Sequence, residues 1–429
     1  MLFLSTMDDN NLPKFKKLLR FVYKNKLSDF YRAKYGKAGF NPPADFRSMN
    51  DVEKIPLLSK KELSQKTAGE ILFVPEKDIL CIAASSGTTG EPMLFFHSKP
   101  EKPGVFRLHG APFGRIMFLR NSFRAGRDVL RAHELEHASL VGDIHDLSTS
   151  CRLAEKAGIE TIVTIPTLAI ILKDYLKKYP NLEKSLKFFR LSGETVSPVK
   201  KNFLKKLFPG VEIFFHYGSA ETSRRAYQCR YLARKDGPVF YHPLLADFHF
   251  ELIDQETGQP TKFGEKGELV LTDFWNRATP LIRYKTGDSA SFHKNNCPCG
   301  APGPLLQVWG RINRDSVRAG GLEIRKDMLE KPLINLRDHI KEDFEAHIYE
   351  SFVNTKPKIK IILNLSLKEG VEESLWLKKT ITEEFLKNCQ LSPRLNLKMA
   401  VEAGLFYRPE INFVVFPRSA KTKGALILH

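Results

Sequence analysis

The sequence predicts an α/β protein: a large N-terminal domain of mixed sheets and helices over residues 1–311, then a small C-terminal α+β domain over residues 312–429. Three observations carry this. Strand-like and helix-like stretches alternate through the first half, which argues for a sheet with helical crossovers. From about Tyr241 to Trp309 the pattern turns to β alone, in "DFHFELID", "GELVLTD", "LIRYKTGD" and "LLQVWG". After Gly310 the chain restarts as helix, strand, strand, helix, strand, strand, the content of a separate small domain.

The elements follow in order. "NLPKFKKLLRFVYKNKLSDFYRAKYGKAG" reads as helix, and "LLSKKELSQK" opens another with Ser59 as its cap. An apolar run, Ile79 to Ala84, and a second, Met93 to Phe96, frame a loop of Ser, Thr and Gly. "DVLRAHEL" and "IETIVTIP" read as strands, "DLSTSCRLAEKAG" and "PTLAIILKDYLKKYP" as helices punctuated by Gly and Pro. Strands "FFRLSGE" and "VEIFFHYGS" follow, with a helix between them.

Composition sets bounds. A chain of 429 residues with 42% apolar content can bury a large core. No run is long enough to span a bilayer. The start, "MLFLSTMDDNNLPKF", places acids just after a very short apolar patch and does not read as a signal peptide. Six cysteines in so long a chain are no disulfide framework, which fits a reducing cytoplasm. The net charge of +18 suits anionic partners, yet the lysines spread along the chain on solvated helix faces. A dedicated nucleic-acid site is therefore not expected. Monomer and homodimer both stay open.

Five polar stretches recur at strand ends: "SSGTTGEP" at 85–92, "LSGETV" at 191–196, "YGSAET" at 217–222, "RYKTGD" at 283–288 and "WGRINRDSVRAGG" at 309–321. Ligands of α/β sheets gather beyond the carboxyl ends of the strands. In the first stretch, glycines let a ligand approach the backbone, while hydroxyls and N–H groups can cradle anionic oxygens. No Gly-Lys-Ser/Thr follows Gly90, so it is not a Walker loop.

In this order, the stretches resemble those of the adenylate-forming enzymes, the acyl-CoA synthetases and their relatives. The opening "VYKNKLSDFYRAKYGKAGF…DVEKIPLLSKKEL" is similar to the phenylacetate–CoA ligase branch. The resemblance implies an ATP-dependent, AMP-forming ligase. It makes an acyl-adenylate from a small carboxylic acid and passes the acyl group to a thiol, that of coenzyme A or of a carrier protein. It implies an ATP-binding adenylation domain over 1–311 and a mobile domain over 312–429. Ser85, Ser86, Gly87, Thr88, Thr89 and Gly90 would hold the β- and γ-phosphates. Ser192, Gly193 and Glu194 would pass along the adenine, and Tyr217 and Gly218 would wall the adenine and acyl sites. Glu221 would bind Mg²⁺, which favours carboxylate and phosphate oxygens. Asp288 would accept the ribose hydroxyls, and Arg311 would sit near the ribose and α-phosphate.

Several features depart from that pattern. Between Arg124 and Ile159 the chain is short, and no Gly/aromatic stretch for the acyl pocket is recognisable. The hinge reads Asn313-Arg314-Asp315 where paired aspartates are usual. In "FPRSAKTKG", Thr422 stands where the adenylating lysine is expected, flanked by Lys421 and Lys423. Either lysine could supply the cation that brings two anions together, with Arg418 as a further option. These departures keep open a non-catalytic nucleotide-binding homologue.

Two metal readings arise. Cys229 and His242, then Cys297 and Cys299 in "NNCPCGAPG", could close a tetrahedral Zn²⁺ site that pins the β region, or could be reduced, partly buried side chains. Separately, "HELEH" at 133–137 matches the H-E-x-x-H of zinc peptidases. That chemistry needs a helix, whereas the segment reads as strand. Peptidase activity stands as an outlying alternative.

Overall fold

The computed structural model describes residues 11–84, 93–99, 114–119, 138–312, 316–392, 395–416 and 425–428. The loop residues Ser85, Ser86, Gly87, Thr88, Thr89 and Gly90, the "HELEH" segment, the hinge residues 313–315, and Arg418, Lys421, Thr422 and Lys423 lie outside the described residues. The chain divides into two compact units. The first comprises Met1–Ile165, Tyr175–Gly193 and Gly210–Trp309; the second comprises Pro166–Asp174, Glu194–Pro209 and Gly310–His429.

In the first unit, β1 (Ile79–Ala84) and β2 (Leu94–Ser98) pair antiparallel, Ala84 opposite Leu94, on either side of the Ser/Thr/Gly loop. The main sheet has eleven strands: β3 (Ile116–Leu119), β4 (Ser139–Gly142), β5 (Thr161–Thr164), β6 (Phe188–Leu191), β7 (Glu212–Ser219), β8 (Ser223–Tyr227), β9 (Phe240–Pro243), β10 (Phe248–Ile253), β11 (Gly267–Asp273), β12 (Tyr284–His293) and β13 (Leu305–Arg311). Their order is β10-β11-β12-β13-β9-β8-β7-β6-β5-β3-β4. From β4 to β7 the pairings are parallel. Here β3 ("IMFL") and β6 ("FFRL") are buried throughout, as parallel strands covered on both faces require. Beyond β7 the sheet turns antiparallel, which explains the β-only pattern after Tyr241.

The predicted crossover helices form where their signals stand. Helix Leu147–Lys156 joins β4 to β5, and its Asp146 cap accepts from the Thr149 N–H. Helix Pro166–Leu176 joins β5 to β6. Helix Pro198–Leu207 joins β6 to β7, with Ser197 accepting from the Lys200 N–H and proline in the first turn. At the N-terminus, helix Leu12–Tyr23 buries Phe15, Leu18, Leu19 and Val22, one amphipathic stripe. The Phe15 ring packs edge-on to His249 and Phe274 of the sheet region. Ser59 caps its helix as the sequence suggests, and with Glu62 it closes a capping box. Arg283 (φ +46°) donates to Glu251 and to the carbonyls of Glu53 and Ile55, both 2.8 Å away, so it ties the N-terminal segment to the sheet.

The C-terminal part of the second unit departs from the expected element order. It opens with a hairpin, β14 (Ser316–Ala319) and β15 (Leu322–Arg325), before any helix. Ala319 faces Leu322 across Gly320 and Gly321, at φ +59° and +79°. A two-residue turn with both central φ positive suits a Gly-Gly pair, a signal the sequence reading passed over. Helix Lys326–Ile334 follows, then β16 (Ile340–Val353), β17 (Lys356–Leu367), helix Leu375–Asn388, the short β18 (Gln390–Ser392) and β19 (Leu395–Asn396), β20 (Glu410–Phe413) and β21 (Ala425–Leu428). Four of these strands make one sheet, β20-β17-β16-β21. Ile348, Ile361, Leu363, Ile381 and Phe385 lie at its core.

Candidate functional site

Two of the singled-out stretches converge in the first unit. "YGSAET" spans the end of β7 and the turn into β8, and "YKTGD" opens β12. The Tyr217 hydroxyl donates to Asp288 Oδ2 at 2.5 Å, across 71 positions of sequence. The Tyr284 hydroxyl donates to Glu221 Oε1 at 3.3 Å. Glu221 is only 5% exposed, and Asp288 is half-buried, its backbone N–H donating to Thr286 Oγ1. Gly218 sits in β7 beside Tyr217.

The sequence reading missed the group at the centre of this cluster. Arg225, in β8, is 1% exposed. Its Nη1 donates to the Tyr217 hydroxyl at 2.8 Å, its Nε to Thr222 and its Nη2 to Ser219. The guanidinium carbon lies 5.2 Å from the centre of the Tyr217 ring. Asp288 Oδ2 is 4.0 Å away. Burial pulls the guanidinium's pKa down, yet Tyr217, Glu221 and Asp288 push it above the ordinary arginine value. The available signal was an arginine inside a strand, in "SRRAY", directly after the "YGSAET" stretch.

The remaining nucleotide candidates are distributed. Ser192 and Gly193 follow β6 in the first unit; the Ser192 N–H donates to the Thr164 carbonyl, and Gly193 has φ +91°. Glu194 belongs to the second unit and is buried there with Lys200 and Glu350. It accepts from the Thr167 N–H (3.1 Å) and hydroxyl (2.8 Å), and Lys200 Nζ lies 3.5 Å away. Lys200 pairs more closely with Glu350, at 2.7 Å, and Glu350 accepts from the Gly320 N–H at 2.6 Å. Arg311, at the end of β13, is exposed and also belongs to the second unit.

The cysteine–histidine set is brought together. Ligand atoms of Cys229, His242, Cys297 and Cys299 all lie within 4.8 Å of one another. Cys229 Sγ is 3.4 Å from Cys297 Sγ, and Cys299 Sγ is 3.3 Å from His242 Nε2. Tetrahedral zinc bonds place two sulfurs about 3.7 Å apart and a sulfur and a nitrogen about 3.6 Å apart. The donor set fits that ion with little movement, and three sulfurs with one imidazole suit it chemically. The turn carrying Cys297 and Cys299 is shaped by Asn295, which accepts from the Cys297 N–H and donates to the carbonyls of Ala301 and Gly303. Burial pushes the metal-free Cys229 thiol up to about 12 and His242 down to about 4. His242 Nδ1 is buried without a hydrogen bond to any described residue.

No helix among the described residues is long and apolar enough to cross a membrane.

The AMP-binding enzyme family's profile matches residues 137–274, which include β7, β8 and Arg225. The phenylacetate–coenzyme A ligase of Thermus thermophilus is 25% identical over 399 residues, 87% of this chain and 81% of that protein. The phenylacetate–coenzyme A ligase of Escherichia coli is 23% identical over 402 residues, 90% of this chain and 86% of that protein. Among solved structures, a 2-hydroxyisobutyryl-CoA ligase bound to its acyl-adenylate and coenzyme A shares the fold, with a TM-score of 0.65 at 18% identity, over 99% of this chain and 90% of that one. The AMP-binding family match and the phenylacetate–coenzyme A ligase relatives together support the adenylate-forming, phenylacetate–coenzyme A ligase-like branch for this chain.

Proposed function

We propose that the chain joins a small carboxylic acid to the thiol of coenzyme A in two steps, through an acyl-adenylate. It is an AMP-forming acid–thiol ligase. The observation that carries the site assignment is the convergence of Tyr217, Glu221 and Asp288 around one buried arginine. Two buried or half-buried carboxylates beside ring hydroxyls suit a nucleotide: one carboxylate for a hard cation, the other for two sugar hydroxyls. Asp288 would accept from the ribose, and Tyr217 with Gly218 would line the base. Ser192, Gly193 and Glu194 would border the adenine. Glu221 would hold Mg²⁺, which when bound shields phosphate charge. Ser85 to Gly90 would cradle the phosphates, and Arg311 would approach the ribose.

In the first half-reaction the carboxylate attacks the α-phosphorus in line, and pyrophosphate leaves. The protein's part is to hold both anions and to offset the charge that develops. Lys421 or Lys423 would bring the cation between them. Residues 312–429 would then turn about the Arg314 region so that the thiol can attack the acyl-adenylate. The acceptor is coenzyme A, with a carrier-protein thiol as the alternative. The acid belongs to the aryl or arylacetic class by likeness to its relatives. Cys229, His242, Cys297 and Cys299 would hold one Zn²⁺ with no coordination position left for substrate, a structural role. Six cysteines with no disulfide among them fit a reducing compartment.

The test is pyrophosphate release with ATP and a panel of acids, with thioester formation measured separately. Glu221→Gln and Asp288→Asn should fold normally and lose ATP-dependent pyrophosphate release. Full activity in both would overturn the nucleotide assignment. Nucleotide binding with no pyrophosphate from any acid would favour the non-catalytic reading that the altered lysine and hinge stretches allow.

A further inference from the structure

Arg225 is not needed by the sheet that carries it. In the β7–β8 pairing, Tyr217 faces Ala226 and Gly218 faces Arg224, so Arg225 is the extra residue of a β-bulge. Bulges gather beside active sites because they re-aim a side chain. The bulge puts a guanidinium where a strand interior would ordinarily hold an apolar group. A buried charge contributes little to stability even when paired, since desolvation offsets the attraction. Its partners are the informative part. All three kinds of guanidinium nitrogen are committed: Nη1 to the Tyr217 hydroxyl, Nε to Thr222 and Nη2 to Ser219. The Tyr217 hydroxyl can donate one proton only. Because Arg225 donates to its oxygen, that proton is directed to Asp288.

We propose that Arg225 is a positioning residue for ATP. It orients the Tyr217 phenol, and through it the Asp288 carboxylate, so that the remaining carboxylate lone pairs face the ribose hydroxyls. It also supplies the fixed positive charge that lets Glu221 and Asp288 share a buried site before the nucleotide and its cation arrive. This rests on the assignment of Asp288 to the ribose.

The test is steady-state kinetics of Arg225→Lys with ATP varied at saturating acid and thiol, with folding checked by circular dichroism. A lysine keeps the charge but not the three-way fork. Loss of ribose contacts made equally in the ground and transition states raises KM without lowering kcat, so KM for ATP should rise about tenfold with kcat nearly unchanged. KM for the acid should stay within about twofold, which a general structural defect would not spare. Tyr217→Phe should show the same split, and the Tyr217→Phe/Arg225→Lys double variant should be no worse than the more affected single variant, because both act along one path. If Arg225→Lys does not fold, Tyr217→Phe decides alone. An unchanged KM for ATP in the decisive variant, with Asp288→Asn inactive, overturns the inference and leaves the nucleotide site standing. If Asp288→Asn also keeps its KM for ATP, the site assignment itself falls.

Discussion

Lys200→Met should destabilise the second unit strongly. The lysine, Glu194 and Glu350 have side chains only 2%, 2% and 4% exposed. At 2.7 Å and an effective dielectric of about 20, Lys200 and Glu350 attract by about 6 kcal/mol; Lys200 and Glu194, at 3.5 Å, attract by about 5 kcal/mol. Most of that offsets the desolvation of three buried charges. Methionine nearly keeps the volume but leaves two buried carboxylates without the Lys200 ammonium, a change that costs about 3–5 kcal/mol. With a urea slope of about 2–3 kcal/mol per molar, the unfolding midpoint should fall by about 1–2.5 M. Circular dichroism through a urea titration measures it. Adding Glu350→Gln should restore much of the loss, since an amide oxygen can still accept from the Gly320 N–H and Glu194 keeps both Thr167 donors. An unmoved midpoint in Lys200→Met, or a double variant weaker than the single one, would refute the reasoning.

Further predictions concern metal, chemistry and thiols. Protein purified without chelator should carry about one zinc per chain, and Cys299→Ser should release it and lower stability while sparing the nucleotide site. Metal analysis that finds none refutes this, and zinc lost on His133→Ala instead would favour the peptidase alternative. Alanine at Lys421 or at Lys423 should abolish adenylate formation in one case only, with thiol transfer from supplied acyl-adenylate retained. Normal adenylation by the double variant would shift the role to another cation such as Arg418. Burial pushes Cys151 up to about 11 and Cys389 up to about 12, so iodoacetamide at about pH 8 should reach neither until the protein unfolds. Peptide mapping of alkylated native protein checks this, and early labelling of Cys389 would count against its burial.

Local chemistry written in the chain was enough for much of this protein. The helix Leu147–Lys156 starts at its Asp cap, Ser59 caps its helix as the sequence suggests, and β6 is buried throughout because parallel strands are covered on both faces. The order of the polar stretches carried the family resemblance that implied roles for Tyr217, Glu221 and Asp288, and each stretch ends or begins a strand, where ligands of α/β sheets gather. Cys229, His242, Cys297 and Cys299 were also legible, as residue types that bind the same ion. Their closeness was not: Cys229 and Cys297 stand 68 positions apart, and only the antiparallel half of the sheet brings them to 3.4 Å. Arg225 was hidden for a related reason. In sequence it is one cation among 67, and what separates it from the rest is a bulge that exists only once β8 has paired with β7. The cluster of Glu194, Lys200 and Glu350 likewise spans more than 150 positions of sequence, and no local pattern distinguishes a buried lysine from a solvated one in "VKKNFLKKLF". Periodicity, caps and turns act over a few residues and are carried by the chain itself. The burial and partners of a charge depend on which distant segments close around it, and only the tertiary structure decides that.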